Sequence, residues 1–364
     1  MPSRRLILQT LSLGGATTLL SPNSLLAATA RAKEKLGVAL VGLGYYSTDL
    51  LAPALQQTSH CELKGIVTGT PAKAEAWTKK YNIPAKNVYT YQNFDQIANN
   101  PDIDVVYVVL PPSMHREYVV RAANAGKHVW VEKPMAMTAR ECQDMIDACR
   151  KNKVALSVGY RLHHEPNTQE YVKLLRDGKI GKVQFVTCAA GYFDGRTNHW
   201  KQTKELGGGA MYDMGVYALQ GARLATGEEP IALTAQQFTT RPEIYRNGLD
   251  ETSMAQLEFP SGARAAIQTS FGMNMNYLNV TGSKGSLRME PYSPYNGLKG
   301  EASTGAKIEH RYEVPWQQAK QMDNDALAIK QGKPMLVPGE EGLRDIRVVE
   351  AIYQAARTGR RVTL

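Results

Sequence analysis

The fold of this chain is decided by the stretch LGVALVGLGYYS at residues 36–47. Its first six residues are apolar or glycine without alternation, which predicts a β-strand that is covered on both faces. Gly42 permits a tight turn after the strand, and Gly44 lets the backbone approach a pyrophosphate group. Ser47 is a small residue at the third position of this glycine fingerprint, and a helical stretch follows to Leu55. The stretch therefore predicts the start of a dinucleotide-binding sheet.

The same alternation of strand and helix continues to residue 159. Further continuous apolar runs predict strands at residues 63–67, 103–110, 128–131 and 154–158. Helices are predicted between them at residues 71–81, 115–125 and 139–151. The last of these helices opens with Thr138 and Glu141 at the spacing of a capping box. The predicted fold class is α/β, with a doubly wound parallel sheet of the Rossmann type over residues 31–159.

The second half of the chain changes its period. Alternating apolar and polar residues predict strands at residues 182–188, 231–239, 252–259, 263–271, 277–281 and 286–289. Residues 291–310 are rich in glycine and are predicted to form a loop, and helices are predicted at residues 317–331 and 340–357. Residues 160–364 are therefore predicted to form an α+β domain with a large, mainly antiparallel sheet.

Composition limits the possible functions. The 364 residues are 43% hydrophobic and 21% charged, as in ordinary globular chains of about two domains. The sequence contains no uninterrupted run of eighteen apolar residues, so no membrane anchor is predicted. The net charge of +9 is spread without a basic stripe, so no nucleic-acid partner is predicted. The four cysteines lack metal-binding spacing, so we predict buried thiols and no metal.

Residues 1–30 are predicted to be an export signal. Arg4 and Arg5 precede a mildly apolar stretch, and residues 28–30 read Ala-Thr-Ala, which fits a cleavage site. These features are typical of a twin-arginine signal and predict a periplasmic protein. The alternative is a frayed helix with two chance arginines, against which Gly14 and Pro22 argue.

The end of the second predicted strand bears on which dinucleotide binds. A binder of NAD usually places Asp or Glu there, on the ribose hydroxyls. Residues 68–73 instead read Thr-Gly-Thr-Pro-Ala-Lys, which contain no carboxylate. Small hydroxyl groups and Lys73 suit a 2′-phosphate, so NADP is predicted. The alternative is that Lys73 is only a solvated helix residue.

Candidate catalytic side chains occur in both halves. Glu132-Lys133-Pro134 follows a predicted strand, and ligands of such sheets bind at the carboxyl ends of the strands. In the second half, Asp213 and Tyr217 are four residues apart, so on a helix they share one face. The alternatives are a surface turn at Lys133, an acid that only favours the helix dipole, and a tyrosine that fills the core.

The order of these motifs carries a resemblance. Gly42-Leu43-Gly44, Glu132-Lys133-Pro134 and the Gly208–Tyr217 pattern resemble the glucose-fructose oxidoreductase/inositol dehydrogenase (Gfo/Idh/MocA) family over nearly the whole predicted mature chain. The resemblance is closest to its glucose–fructose branch. It implies that NADP is reduced by glucose, giving gluconolactone, and reoxidised in place by fructose, giving sorbitol. It also implies a homo-oligomer, either a dimer or a tetramer.

The resemblance assigns roles to individual residues. Lys133 would be the catalytic lysine, Asp213 the acid that orients the substrate, and Tyr217 the acid/base. The residues implied to hold the dinucleotide are Gly42, Gly44, Tyr45, Tyr46, Thr68, Gly69, Lys73, Tyr91, Leu110, His115, Glu132, Lys133 and Arg161, with Trp200 and Lys201 near the nicotinamide side. Elementary chemistry agrees, because a phenol ordinarily keeps its proton to about pH 10 and a cation about 4 Å away would stabilise its anion.

One departure keeps other functions open. The glucose–fructose branch carries a Pro-rich arm that crosses to a neighbouring subunit's cofactor, whereas only residues 31–35 separate the predicted cleavage site from the first strand here. An exported NADP-dependent sugar dehydrogenase or reductase that exchanges its cofactor is therefore an alternative. An NAD-dependent glycosidase and a non-catalytic binder of dinucleotide and sugar are the others.

Overall fold

Two β-sheets organise the part of the chain that the computed structural model describes, residues 33–364. The predicted export signal at residues 1–30 lies outside these residues. The strands of the first sheet are β1 (Leu36–Val41), β2 (Cys61–Val67), β3 (Val88–Tyr89), β4 (Val105–Val108), β5 (His128–Val131) and β6 (Leu156–Val158). They are all parallel and lie in the order β3-β2-β1-β4-β5-β6. The predicted doubly wound sheet is confirmed.

Eight α-helices accompany the sheets in the described residues. They are α1 (Ala52–Leu55), α2 (Pro71–Tyr81), α3 (Pro112–Asn124), α4 (Ala139–Lys151), α5 (Pro166–Arg176), α6 (Val216–Thr226), α7 (Trp316–Gln331) and α8 (Gly339–Thr358). A π-helical turn, Tyr46–Leu51, precedes α1. The predicted capping box of α4 is confirmed, because Thr138 Oγ1 accepts from the Glu141 amide and the Glu141 carboxylate accepts from the Thr138 amide. Helix α5 was not predicted.

Helices cover both faces of the parallel sheet, which explains its uninterrupted apolar strands. On one face, Leu40 packs in a core that includes Met322 of α7. On the other face, Val41 packs in a core that includes Ile346 of α8. The two C-terminal helices therefore pack back against the N-terminal sheet, and this long-range packing is not visible in the sequence pattern.

The second sheet has nine strands in the described residues. They are β7 (Val183–Gly191), β8 (Ala232–Phe238), β9 (Thr252–Glu258), β10 (Arg264–Ser270), β11 (Met275–Gly282), β12 (Gly285–Met289), β13 (Gly300–Ala302), β14 (Lys307–Ile308) and β15 (Val362–Thr363). Their order is β14-β13-β12-β11-β7-β10-β9-β8-β15, and the β7–β10 pair alone is parallel. The mainly antiparallel sheet is confirmed. The loop predicted at residues 291–310 is wrong, because β13 and β14 lie there and are too short to show a period.

The two faces of this sheet differ. Helices α6 and α8 pack against one face. The other face leaves Phe185, Phe238 and Met254 partly exposed. All four cysteines are buried free thiols, as predicted. Within residues 33–364, none of the helices combines the length and the apolar character needed to span a membrane.

Candidate active site

The loop after β1 leaves space beside Gly44. Gly42 has φ of +91°, and a Cβ atom there would lie 2.4 Å from the Val109 carbonyl oxygen. A Cβ atom on Gly44 would meet no heavy atom within 4 Å. The packing of the protein itself therefore requires glycine at position 42, whereas the missing side chain at position 44 keeps a cradle open. This cradle fits the close approach of a dinucleotide pyrophosphate.

The two glycines are expected to respond differently to substitution. Gly42→Ala lowers the free energy of unfolding by about 1–3 kcal/mol or more, because it adds backbone strain and a steric clash. Gly44→Ala leaves that free energy nearly unchanged, but weakens dinucleotide binding by about tenfold or more, which is about 1.4 kcal/mol. Urea unfolding and fluorescence titration with NADPH measure the two effects. Equal stability losses in both variants would contradict this assignment.

The loop after β2 lies next to the glycine loop. Lys73 Nζ donates to the Leu43 carbonyl oxygen over 2.9 Å, which places its ammonium group beside the glycine fingerprint. Thr68 Oγ1 accepts from the Thr70 amide over 3.2 Å. Gly69 faces Tyr91, since a Cβ atom on Gly69 would lie 3.2 Å from that ring. The structure thus brings together the residues predicted for one end of the dinucleotide.

His115 joins two ligand-facing loops. Its Nε2 atom lies 2.7 Å from the Leu110 carbonyl oxygen in the loop after β4. Its Nδ1 atom lies 3.0 Å from the Pro134 and 3.2 Å from the Met135 carbonyl oxygens in the loop after β5. The ring is fully buried, and burial is the main reason that the pKa of His115 is lowered. His115 therefore fixes the loop that carries Lys133.

Lys133, Asp213 and Tyr217 meet at the carboxyl end of the parallel sheet. Lys133 Nζ donates to the Asp213 carbonyl oxygen over 2.6 Å and to Asp213 Oδ1 over 3.2 Å. The same ammonium group lies 4.6 Å from the centroid of the Tyr217 ring. Asp213 belongs to the π-helical turn Met211–Gly215, and Tyr217 follows at the start of α6. One cation from the first sheet therefore contacts an acid and a phenol from the second half.

Asp213 holds a second cation. Lys201 Nζ donates to Asp213 Oδ2 over 2.6 Å and to Tyr192 Oη over 3.1 Å. Burial alone would raise the pKa of Asp213, but the ammonium groups of Lys201 and Lys133 outweigh burial and hold this pKa well below its usual range. Asp213 is therefore an ionised acceptor that orients its neighbours, and it is a poor proton acceptor.

Glu132 is buried beneath Lys133. Its Oε1 atom accepts from Tyr107 Oη over 2.6 Å, and its Oε2 atom accepts from the Lys133 amide over 3.3 Å. A Cβ atom on Gly159, the residue directly after β6, would lie 2.6 Å from this carboxylate, so the glycine leaves room for it. Burial raises the pKa of Glu132 to about 7, although Tyr107 and Lys133 oppose that rise. Glu132 therefore changes charge near neutral pH.

The unliganded protein is expected to lose the stabilising effect of Glu132 as pH rises. The folded-state pKa lies above the unfolded value, so this contribution is complete below pH 4.5 and is lost as pH rises through about 7. Between these limits, the difference in unfolding free energy between Glu132→Gln and wild type shifts by about 3 kcal/mol in favour of the variant. Urea unfolding of both proteins at several pH values measures this shift. Parallel pH curves would contradict it.

Arg161 lies beside Tyr217 and is fully buried. Its guanidinium carbon is 5.1 Å from the centroid of the Tyr217 ring and 4.7 Å from that of Tyr295. Its terminal nitrogens donate to carbonyl oxygens of residues 293 and 294 and to the Gln317 side chain. All of these hydrogen-bond acceptors are neutral groups of the protein itself.

The remaining predicted dinucleotide residues surround this centre. Tyr46 is partly buried, with its ring centroid 6.2 Å from that of Tyr295. Tyr45 is 65% exposed and leaves its ring open to a ligand. Trp200 lies in a short 3₁₀ turn, and Lys201 Nζ is 5.7 Å from the centroid of its ring. Lys201 was predicted near the nicotinamide side, and the structure places its ammonium group on Asp213.

Sequence reasoning did not single out three tyrosines of this centre. Tyr107 lies in strand β4, where it reads as a core residue, and its hydroxyl reaches Glu132. Tyr192 directly follows β7, and its hydroxyl donates to Asp213 Oδ2 over 3.3 Å. Tyr295 lies in the glycine-rich segment that was predicted to be a loop. A tyrosine directly after a strand was the one available signal, and it is weak.

Two family profiles match the chain. The first is described as an oxidoreductase family with an NAD-binding Rossmann fold, and it matches residues 36–160. The second is described as the C-terminal alpha/beta domain of an oxidoreductase family, and it matches residues 172–364. Together they cover most of the chain and meet at the centre formed by Lys133, Asp213 and Tyr217.

Individual proteins are also similar to this chain. The crystal structure of aldose-aldose oxidoreductase from Caulobacter crescentus, complexed with glycerol, is 40% identical, covers 91% of this chain and all of that one, and has a TM-score of 0.87. D-xylose 1-dehydrogenase [NADP(+)] from Haloarcula marismortui is 28% identical over 90% of this chain and 92% of its own length. Inositol 2-dehydrogenase from Rhizobium meliloti is 25% identical over 86% of this chain and 94% of its own length.

Proposed function

This chain belongs to the Gfo/Idh/MocA oxidoreductase family, and we propose that it is an NADP-dependent enzyme that transfers hydride between two sugars. In this proposal one aldose is oxidised at its anomeric carbon to the lactone, and a second sugar is reduced at its carbonyl carbon to the alditol. The observation that carries the proposal is the contact of Lys133 with both Asp213 and Tyr217. The similarity to an aldose-aldose oxidoreductase over 91% of the chain supports the substrate class.

The chain's own residues supply the proton transfer. A bound nicotinamide supplies the hydride acceptor for oxidation and the hydride donor for reduction. Tyr217 takes the hydroxyl proton from the sugar that is oxidised and returns one to the carbonyl oxygen of the sugar that is reduced, so the protons balance over the cycle. Lys133 stabilises the phenolate between these steps, and Asp213 accepts hydrogen bonds from the sugar hydroxyls. Gly44, Thr68 and Lys73 are the residues that would hold the dinucleotide.

Incubation with sugar but without added cofactor tests the proposal. Purified protein is denatured, and the released nucleotide is identified by absorbance and mass. Native protein is then offered glucose alone, and glucose with fructose, with no dinucleotide added. Equal amounts of gluconate and sorbitol are expected. Turnover only with added NADP would instead identify a dehydrogenase that exchanges its cofactor, and sugar release from a chromogenic glycoside would identify a glycosidase.

The preference for NADP rests on the loop after β2. Lys73 and the hydroxyls of Thr68 and Thr70 favour a 2′-phosphate. Lys73→Glu removes one hydrogen bond to a charged group and adds a carboxylate that repels the phosphate, so it is expected to weaken NADPH binding by at least about 10- to 100-fold. NADH binding should change little. Lys79→Glu is the matched control, because Lys79 is an exposed residue of the same helix. Isothermal titration of nucleotide-free wild type and of both variants with NADPH and NADH measures these changes, and equal losses for NADPH and NADH would contradict the assignment.

We also propose that the enzyme is exported. The support is the Arg4-Arg5 pair and the Ala-Thr-Ala sequence at residues 28–30. The twin-arginine route carries folded proteins, which suits an enzyme that binds its dinucleotide before export. Replacing both arginines with lysine should retain the protein in the cytoplasmic fraction, and N-terminal sequencing of the exported protein should begin at Arg31. Unchanged export in the double variant would contradict the proposal.

A further inference from the structure

Arg161 is a buried cation that forms no ion pair with a carboxylate in the part of the chain that the structure describes. Its guanidinium donates to the Ser293 carbonyl oxygen over 2.6 Å, to the Pro294 carbonyl oxygen over 3.0 Å, and to the Gln317 side chain. Among residues 33–364, no carboxylate lies within ion-pair distance of it. Neutral hydrogen bonds orient a buried charge but do not cancel it, and Glu132 interacts with Arg161 only from beyond ion-pair distance, so the guanidinium has no directly bound counter-charge.

The charge of Arg161 faces the phenol of Tyr217. The Arg161 guanidinium carbon lies 5.1 Å from the centroid of that ring, and its Nε donor has no hydrogen-bond partner in the described part of the chain. Burial opposes the charge on Arg161, and yet the pKa of Arg161 is raised, with Tyr217 as the strongest favourable neighbour. An anion on Tyr217 would therefore supply the missing counter-charge.

Other groups also face Tyr217. Lys133 lies over its ring, and Asp213 precedes it on the same helical segment. Tyr46 and Tyr295 border both Arg161 and Tyr217, and burial is the main cause that raises the pKa of each of these two phenols. The charge of Arg161 also acts on Glu132, whose pKa it lowers against the effect of burial. Tyr46 and Tyr295 therefore stay protonated, and Tyr217 is the phenol that lies against both Lys133 and Arg161.

We infer that Arg161 is a positioning residue for the proton transfer, and that its buried guanidinium stabilises the phenolate of Tyr217 together with Lys133. The inference rests on the proposed role of Tyr217 as the acid/base. It gives Arg161 a role different from the dinucleotide contact that the family resemblance implies. Arg161 touches neither substrate nor dinucleotide in this assignment, and it acts only through Tyr217.

Arg161→Met and Gln317→Glu remove or neutralise the charge in different ways, and Arg161→Lys keeps it. Arg161→Met deletes the guanidinium, and Arg161→Lys restores a cation without its planar fork. Gln317→Glu keeps the arginine but places a carboxylate where the Gln317 oxygen now accepts from it, so it neutralises the charge even if Arg161→Met fails to fold. Gln354→Glu is the matched control, because it adds the same charge at an exposed position of α8.

Absorbance at about 295 nm reports tyrosinate directly and needs no turnover. Subtracting the titration of a protein that also carries Tyr217→Phe isolates this one phenol. We expect its titration midpoint to rise by about one to two pH units in Arg161→Met and in Gln317→Glu, the effect of losing one nearby cation. Arg161→Lys should recover part of the shift, Gln354→Glu should show none, and NADPH affinity should stay within about twofold of wild type, or about 0.4 kcal/mol.

Two results would overturn the inference. One is an unmoved midpoint in both Arg161→Met and Gln317→Glu. The other is NADPH binding that is weakened by more than about twofold in Arg161→Met, which would return Arg161 to the dinucleotide. The proposed function fails separately, by the absence of hydride transfer between sugars in the wild-type protein, and the optical titration does not depend on that outcome.

Discussion

Replacing Tyr217 with phenylalanine lowers kcat/KM for hydride transfer by about 10²- to 10⁴-fold, the usual contribution of a general acid/base. The substitution removes the hydroxyl that exchanges the proton and keeps the ring. That ring is buried and lies against the cations of Lys133 and Arg161, so its packing is retained. The free energy of unfolding and the affinity for NADPH should therefore change little.

Two measurements separate a chemical role for Tyr217 from a structural one. The deuterium isotope effect with sugar labelled at the reacting carbon should become fully expressed, because the chemical step becomes rate-limiting. Tyr212→Phe is the matched control. Tyr212 lies five residues before Tyr217, and its hydroxyl donates to the Met137 carbonyl oxygen over 2.5 Å instead of facing Lys133. Near-normal activity in Tyr217→Phe, or an equal loss in Tyr212→Phe, would remove Tyr217 from the proton transfer.

The parallel sheet could be predicted because its signals are local and strong. A continuous apolar run that ends at Gly42 identifies β1, and the capping box at Thr138 identifies α4. The short strands β13 and β14 could not be predicted, because three and two residues carry no period. Helix α7 could be predicted, but its packing on the first sheet could not, since that packing depends on contacts across most of the chain.

For the candidate site too, one part could be predicted from the sequence and another part could not. The meeting of Lys133 with Asp213 and Tyr217 could be predicted, because the carboxyl ends of parallel strands lie at one edge and the family resemblance pairs the motifs. The contact of Lys201 with Asp213 could not, because it lies in an irregular segment whose path no pattern defines. The environment of Arg161 could not be predicted either, because its hydrogen-bond partner Gln317 is 156 residues away in the sequence.

Replacing Lys133 with alanine is expected to lower turnover strongly and to move the pH dependence of kcat/KM to higher pH. Its ammonium lies 4.6 Å from the Tyr217 ring centroid. A cation about 4 to 5 Å from an anion stabilises it by roughly 3 to 4 kcal/mol at an effective dielectric constant near 20, which corresponds to a rate loss of about 10²- to 10³-fold. The loss should be smaller at high pH, where more of the phenol ionises without help.

Lys201→Ala is the comparison that isolates this effect. Both lysines bind the Asp213 carboxylate. Lys201 also lies over the rings of Tyr192 and Trp200, whereas Lys133 is the lysine that lies over Tyr217. If Lys133 acts through the phenol, its alanine variant alone moves the pH profile, while Lys201→Ala raises KM for the sugar by loosening Asp213. If both variants move the profile equally, Lys133 acts through Asp213 instead, and the assignment of Tyr217 as a lysine-tuned base is wrong.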